Sequence, residues 1–453
     1  MNTLCHDKLN PLKRRLILGL GVTGLSCANF LTRRELSFDF ADTRSKIDNI
    51  EELKAAYPDS QFFLGALDST LLSQYDQVII SPGIDPRDDA IVRAKNNGVE
   101  FTGDIDLFSC VVDKPVVAIT GSNGKSTVTT LVEHLLISIG IHAKAGGNLG
   151  IPALDMLELH PDIYILELSS FQLETVGSLN ADVVTVLNIS PDHLDRYDSY
   201  NDYIEAKQKI YSGSRKQIIN LDESSWQPKT HTSNSECFTT FSINSDDATI
   251  KLVEKTTGDV IYHGERALLN IDELRLKGSH NVLNVMAALA ICEALDINLP
   301  SVIDALCDYK GLPHRCQWIA NVQGVDFIDD SKGTNVGSTI AAIKGLQNRI
   351  NGRLWLICGG VGKDQDFTEL REVCEQFVYE VRLFGKDAAT IAYALNTVPN
   401  SQWQSIDDIL FDLAEHIEAG DLVLLSPACA SFDQFKNYID RGLHFQKLVR
   451  QMQ

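Results

Sequence analysis

The chain has 453 residues, 44% of them hydrophobic and 22% charged, with a formal net charge of −21. That length supplies roughly two to four domains with ample core. The acidic balance excludes nucleic acid and anionic membrane as general partners, and leaves anionic substrates open only where Lys, Arg or Mg²⁺ is concentrated locally.

From Arg15 to about Asp104 short apolar strands, Leu16–Leu18, Phe38–Ala41, Phe62–Leu64 and Val78–Ile80, alternate with helical stretches. This rhythm predicts a small parallel α/β domain over residues 1–104. The first strand ends in Gly19-Leu20-Gly21-Val22-Thr23-Gly24 and the second in Asp42-Thr43-Arg44. Taken alone, the glycine pattern fits three things. One is a dinucleotide site with Asp42 on a ribose hydroxyl, another is a site for a different nucleotide diphosphate, and the third is a packing turn. Arg44 favours a phosphate-bearing ligand over a bare ribose. Ser81-Pro82-Gly83 follows a strand on the same edge and is placed to close over that ligand.

A second α/β segment, 105–311, carries Ala118-Ile119-Thr120-Gly121-Ser122-Asn123-Gly124-Lys125-Ser126-Thr127 between a β-branched run and a helical pattern. Strand, glycine loop, Lys-Ser-Thr and helix build a nucleoside triphosphate site. Gly121 and Gly124 let N–H groups face phosphate, Lys125 reaches the outer phosphates, and a Ser126 or Thr127 hydroxyl ligates Mg²⁺. The loop is a shortened variant, with Ile119 where the general pattern has glycine. Glu167 ends the apolar strand Ile163–Leu166, where a carboxylate is costly unless paired or bound to metal. His193, after the strand Val183–Leu187, is a second metal-ligand candidate or a turn residue. Lys207, in Tyr203-Ile204-Glu205-Ala206-Lys207, reads locally as a solvated helix lysine. Short antiparallel strands are expected from about Asp222 to Asp259. Asn281 and Asn284 stand one helical turn apart and can share a ligand, although capping by Asn281 is the plainer reading.

Gly311-Leu312-Pro313 suits a linker into a third α/β segment, 312–453. Four stretches there should meet at one rim of its sheet, each following a strand. They are Gly311–Arg315, Asp329–Asn335, Gly359–Lys363 and Ser426–Phe432. Arg315 and Asp330 suit a nucleotide's phosphate and ribose, and Lys332 a phosphate or carboxylate. The ten cysteines, with no Cys-x-x-Cys pair, predict reduced thiols and no zinc site. With no apolar leader core and no run of about 18 apolar residues, no signal peptide or membrane span is expected.

Seven motifs together resemble the Mur ligase family over the whole chain: residues 19–26, 119–127, 167–174, 192–197, 311–315, 330–335 and 426–431. The resemblance implies three consecutive α/β domains, Rossmann-like at both ends around a P-loop ATPase-like centre. It implies an ATP-dependent ligase that adds D-glutamate to UDP-N-acetylmuramoyl-L-alanine in peptidoglycan synthesis. Val22, Thr23, Thr43, Arg44 and Ser81 would surround the UDP part, with Asn148 and Ser169 on the muramoyl part. ATP would lie on Gly121, Ser122, Asn123, Gly124, Lys125, Ser126 and Thr127, with Asn281, Arg315 and Asp330. Two Mg²⁺ ions would be placed by Ser126, Glu167, His193 and a carbamylated Lys207, and Lys125, Glu167, His193 and Lys207 would carry catalysis. Lys332, Thr334, Lys363, Ser431 and Phe432 would bind D-glutamate. A cytoplasmic monomer with no nucleic-acid or membrane partner is implied. The chain departs from familiar relatives at Val361, where they place an aspartate, and at Tyr438, where they carry an aromatic without a hydroxyl. A sister ligase for another amino acid, a folylpolyglutamate synthase or an NAD-dependent oxidoreductase are the rival readings.

Overall fold

The computed structural model describes residues 7–47, 49–177, 179–192, 196–223, 238–256, 258–276, 278–347, 350–363 and 365–452. Three sheets follow one another along the chain. The first consists of β1 (Arg15–Leu18), β2 (Asp39–Asp42), β3 (Phe62–Leu64), β4 (Gln77–Ile80) and β5 (Glu100–Thr102). All five are parallel, in the order β3-β2-β1-β4-β5. Leu16, Ile17 and Leu18 are wholly buried, as a sheet covered on both faces requires. The strand order reverses between β1 and β4, so a crevice opens at their carboxyl ends. Helix α1 (Val22–Thr32) starts at that crevice, and α2 (Asp104–Val111) leads into the second sheet.

The second sheet has nine strands: β6 (Val116–Thr120), β7 (Ala143–Gly147), β8 (Ile163–Glu167), β9 (Val183–Val186), β10 (Lys216–Asn220), β11 (Phe238–Ser242), β12 (Ile250–Val253), β13 (Val260–His263) and β14 (Arg266–Asn270). Their order is β14-β13-β12-β11-β10-β9-β6-β8-β7. Parallel pairing sets Ile119 beside Glu167 and Thr120 beside Val186. The glycine loop, Glu167 and the chain after β9 therefore leave the sheet at one edge. Helices α3 (Lys125–Ser138), α4 (Ser170–Thr175), α5 (Tyr200–Gln208) and α6 (Ser279–Ala294) flank it. Twelve of the sixteen α6 residues are buried, which makes it an interior helix between α3 and the sheet. The antiparallel expectation for 222–259 holds for β12 with β13, while β11 pairs in parallel with both β10 and β12.

The third sheet is built of β15 (Gln317–Val322), β16 (Val325–Asp329), β17 (Leu354–Gly359), β18 (Glu380–Phe384), β19 (Asn400–Gln402) and β20 (Leu422–Leu425), in the order β15-β16-β20-β17-β18-β19. Helices α7 (Val336–Leu346) and α8 (Tyr438–Gln451) pack on it. One expectation is corrected here. Gly311–Arg315 follows no strand; it precedes β15. It reaches the expected rim because β15 pairs antiparallel to β16, with Gln317 opposite Asp329.

A single apolar cluster runs from the first sheet into the second, including Ile17, Phe30, Phe108, Leu166 and Tyr203. The third sheet has its own two clusters. Leu131, wholly buried between α3 and α6, belongs to the other face of the second sheet. Leu131→Ala should destabilise the protein by about 2–5 kcal/mol through the lost burial and the cavity left behind. A denaturant titration would measure it, and an unchanged midpoint would contradict the packing.

Candidate active site

The glycine loop is pinned from below. Ser122 N–H donates to the Asn188 carbonyl (2.9 Å) and Asn123 N–H to Asn188 Oδ1 (2.8 Å), both just past β9. Gly124 caps α3 in the left-handed region (φ +81°), and a Cβ there would stand 2.3 Å from Asn284 Oδ1. Only glycine fits both conditions. Lys125 Nζ curls back to donate to the carbonyls of Gly121 (2.7 Å) and Ser122 (2.9 Å).

On one side of this loop lies a cleft lined by Asn123, Gly124, Thr127, Asn281, Arg315 and Asp330 among others. The structure thus brings the expected nucleotide residues of two domains together. Arg315 reaches across to donate to Ser126 Oγ (2.8 Å). Asn281 does not cap α6, whose N-cap is Gly278; it accepts from Asn284 Nδ2 (3.2 Å) on the next turn. Asp330 accepts from Cys316 N–H and Ser426 Oγ, and burial pushes its carboxyl up to about 7.

On the other side is a second cleft. Ser122, Lys125, Ser126, Asn148, Glu167, Ser169 and Lys207 form one wall, and Lys332, Thr334, Lys363, Ser431 and Phe432 the other. Five basic side chains, Lys125, Lys207, Arg315, Lys332 and Lys363, line it against Glu167 and Asp192. The acidic chain therefore keeps a local basic cleft for anions. Burial lowers Lys332 to about 8, and its ammonium lies 4.1 Å from the centre of the Tyr438 ring. Lys363 lies 3.5 Å from Asp192, and Asn335 Nδ2 donates to the same carboxylate (3.0 Å).

Lys207 is not the solvated lysine that its local sequence suggests. It is 2% exposed, donates to the Gly121 carbonyl (2.9 Å) and lies over the Tyr203 ring. Burial, with Lys125 nearby, holds its pKa well below the usual lysine value. Glu167 is buried too. Burial raises its pKa, but Lys125, Ser126, Asn148 and Arg315 outweigh that and hold the carboxyl below its ordinary value. Glu167 Oε1 accepts from Asn148 Nδ2 (2.8 Å), whereas the buried Oε2 has no partner. Ser126 Oγ and that orphaned oxygen are hard donors at the foot of a phosphate loop, which fits Mg²⁺. Among the described residues no group of three His, Cys, Asp or Glu side chains is placed to hold a metal ion by itself. Any such ion would complete its shell with phosphate and water. His193 lies outside the described residues.

A third cleft opens at the β1/β4 crevice and is lined by Val22, Thr23, Thr43, Arg44, Ser81 and Asn148 among others. Asn148 lines this cleft and the reaction cleft alike. Asp42 is not available to a ribose. It accepts from Leu20 N–H, Arg44 N–H and, through both oxygens, the Arg44 guanidinium. Burial opposes its ionisation, but these donors hold it at about 2. Ser169 lines only the reaction cleft and caps α4 in a reciprocal capping box with Gln172. Asn188, Asp192, Tyr203 and His280 line these clefts without being singled out from the sequence. Asp192 and His280 were legible as neighbours of named motif residues. Asn188 and Tyr203 carried no local signal.

Three family descriptions match the chain in sequence order. These are the Mur ligase MurD-like N-terminal domain over residues 13–103, the Mur ligase middle domain over 119–292 and the Mur ligase glutamate ligase domain over 314–429. A UDP-N-acetylmuramoylalanine--D-glutamate ligase of Marinobacter nauticus is 44% identical, covering 96% of this chain and 98% of its own. The enzyme of that name from Pseudomonas aeruginosa is 43% identical, with 97% and 98% covered. The MurF ligase of Thermotoga maritima, solved in complex with ADP, shares the fold at a TM-score of 0.59 and 16% identity, covering 98% of this chain and 100% of that one.

Because Asp330 is raised from an ordinary 3.8 to about 7, the native state holds more protons than the unfolded one between those values, and stability falls as pH rises through that window. Asp330→Asn should flatten the melting temperature between pH 4 and pH 7. Some slope should remain, because Asp104, raised by burial to about 6, shares the window. An unaltered slope would show that Asp330 does not titrate there.

Proposed function

The chain belongs to the Mur ligase family, and from that premise we infer that it joins the amine of D-glutamate to the L-alanyl carboxylate of UDP-N-acetylmuramoyl-L-alanine at the expense of ATP. It is a ligase of peptidoglycan precursor synthesis. One observation carries the reading most: the three clefts adjoin one another. The nucleotide cleft shares Asn123, Gly124, Arg315 and Lys332 with the reaction cleft, which shares Asn148 with the β1/β4 cleft. A long UDP-linked substrate, a triphosphate and a small amino acid can thus place their reacting ends at one point.

We assign the UDP part to residues 1–104, ATP and Mg²⁺ to 105–311 and D-glutamate to 312–453, in a cytoplasmic monomer. No described helix is long and apolar enough to cross a membrane. The occupied Asp42 favours a UDP ligand over a dinucleotide. Gly121 to Thr127 would receive the triphosphate, with Asn281, Arg315 and Asp330 on the nucleoside side.

A carboxylate is a poor acyl donor because its leaving group would be oxide. Phosphorylation gives an acyl phosphate, and the amine then displaces phosphate through a tetrahedral intermediate. Negative charge gathers in both steps, and Lys125 and Arg315 are placed to neutralise it. Ser126 and Glu167 would hold Mg²⁺, which would supply Lewis-acid neutralisation of that charge. For a second ion we propose carbamylation of Lys207. Its neutral amine adds to CO₂, forming an N–C bond and releasing a proton, and the product carries a carboxylate-like group. His193 is the candidate base for the attacking amine. Lys332 and Lys363 suit the two carboxylates of glutamate, beside Thr334, Ser431 and Phe432. Val361 meets Ala430 through two backbone hydrogen bonds, so it contributes main chain here, and Lys363 finds its carboxylate in Asp192. Water would destroy the acyl phosphate, and the third domain covers the cleft against it.

The decisive experiment is ADP release with ATP, Mg²⁺ and UDP-N-acetylmuramoyl-L-alanine, offering D-glutamate, L-glutamate, L-alanine or meso-diaminopimelate in parallel. Turnover with D-glutamate alone is expected; turnover with another would replace the substrate and keep the family. Lys125→Ala should cut kcat by at least about a hundredfold. Lys207→Ala should be inactive and partly restored by short-chain carboxylates, and full activity without them would remove carbamylation from the mechanism.

A further inference from the structure

Arg196 has no part in the chemistry above, yet its side chain is only 11% exposed. One guanidinium nitrogen, Nη2, donates both to the Ile84 carbonyl (3.0 Å) and to Glu174 Oε2 (2.7 Å). The group lies 4.6 Å from the centre of the Phe171 ring, and its Nε stands 4.0 Å from Asp85. Ile84 and Asp85 belong to the first sheet's loop, whereas Glu174 and Phe171 belong to α4 of the second. A single side chain thus ties two domains together at two clefts.

What it touches matters. Ser81 to Ile84 form one wall of the β1/β4 cleft. That turn is fastened at its near end by Ser81 Oγ donating to Gly19 O (3.1 Å) and closed by Ile84 N–H on Ser81 O (3.0 Å). Its far end is held by Arg196. Phe171, the ring under the guanidinium, lines the reaction cleft. Behind it Tyr197 stacks on Phe171 and leans on Tyr203, whose hydroxyl meets Ser122 Oγ (3.0 Å) in the phosphate loop.

We propose that Arg196 is a positioning residue that fixes the outer wall of the UDP cleft against the reaction cleft, and so sets the span that the UDP-linked substrate must bridge. The inference rests on the ligase reading. A flat guanidinium holds a carbonyl, a carboxylate and an aromatic face at once, which the point charge of a lysine cannot do. The effect is therefore confined to a ligand that occupies both clefts. UDP alone fills only one of them, and ATP lies on the far side of the phosphate loop.

The test compares wild type, Arg196→Lys, Arg196→Ala and Glu174→Gln by steady-state kinetics, calorimetric titration with UDP and thermal melting. Arg196→Lys and Glu174→Gln should each raise KM for UDP-N-acetylmuramoyl-L-alanine by about tenfold or more, with KM for ATP and Kd for UDP within about twofold. Arg196→Ala combined with Glu174→Gln should be no worse than Arg196→Ala, since both remove one contact. Unchanged KM values in Arg196→Lys overturn the proposal. A parallel rise in the ATP and UDP-substrate KM values with a fall in melting temperature also overturns it, because that marks a merely structural pair. An inactive wild type refutes the ligase reading and this span with it, whereas an active wild type with indifferent variants refutes the span alone.

Discussion

Two lysines share one backbone oxygen: the Gly121 carbonyl accepts from Lys125 at 2.7 Å and from Lys207 at 2.9 Å. Two ammonium groups held that close in a buried place repel each other, and burial penalises both charges. The strain is relieved at Lys207, which is pushed well below its ordinary pKa. The phosphate loop, Glu167 and α5 are all positioned around this convergence. The sheet registers of β6 against β8 and β9 bring the pieces to the same edge.

The domains are joined in two different ways. The first two share an apolar cluster, in which Phe30 and Phe108 pack in continuity with Leu166 and Tyr203. Burial on that scale holds two bodies together as one. The third domain shares no described cluster with them and meets the centre through polar contacts: Arg315 on Ser126, Asn335 and Lys363 on Asp192. Polar interfaces of this kind come apart and re-form at little cost, which suits a domain that admits substrates and then excludes water.

The strands with continuous apolar runs were readable directly: Leu16–Leu18, Ile163–Leu166, Leu354–Ile357 and Leu422–Leu425 all lie in buried parallel strands. β7, with the sequence Ala-Lys-Ala-Gly-Gly, and β19, Asn-Ser-Gln, carry no apolar run and are strands only because a neighbour supplies their hydrogen bonds. β15 was hidden for a related reason, since Trp318 and Asn321 are exposed on an edge strand. Local pattern reports burial, and an edge strand is only partly buried.

The sequence by itself determined the alternating α/β order, the phosphate loop with its strand and helix, and the family, because each depends on residues adjacent in the chain. Only the tertiary structure decided that Lys207 is buried, that Asp42 accepts from the Leu20 N–H, and that Arg196 bridges two clefts. Each of those facts depends on a partner brought in from elsewhere. Lys207 meets Gly121 across 86 positions and Arg196 meets Ile84 across 112. Desolvation and pairing are properties of the place where a side chain ends up, and that place is set by the packing of the sheets, beyond the reach of local pattern.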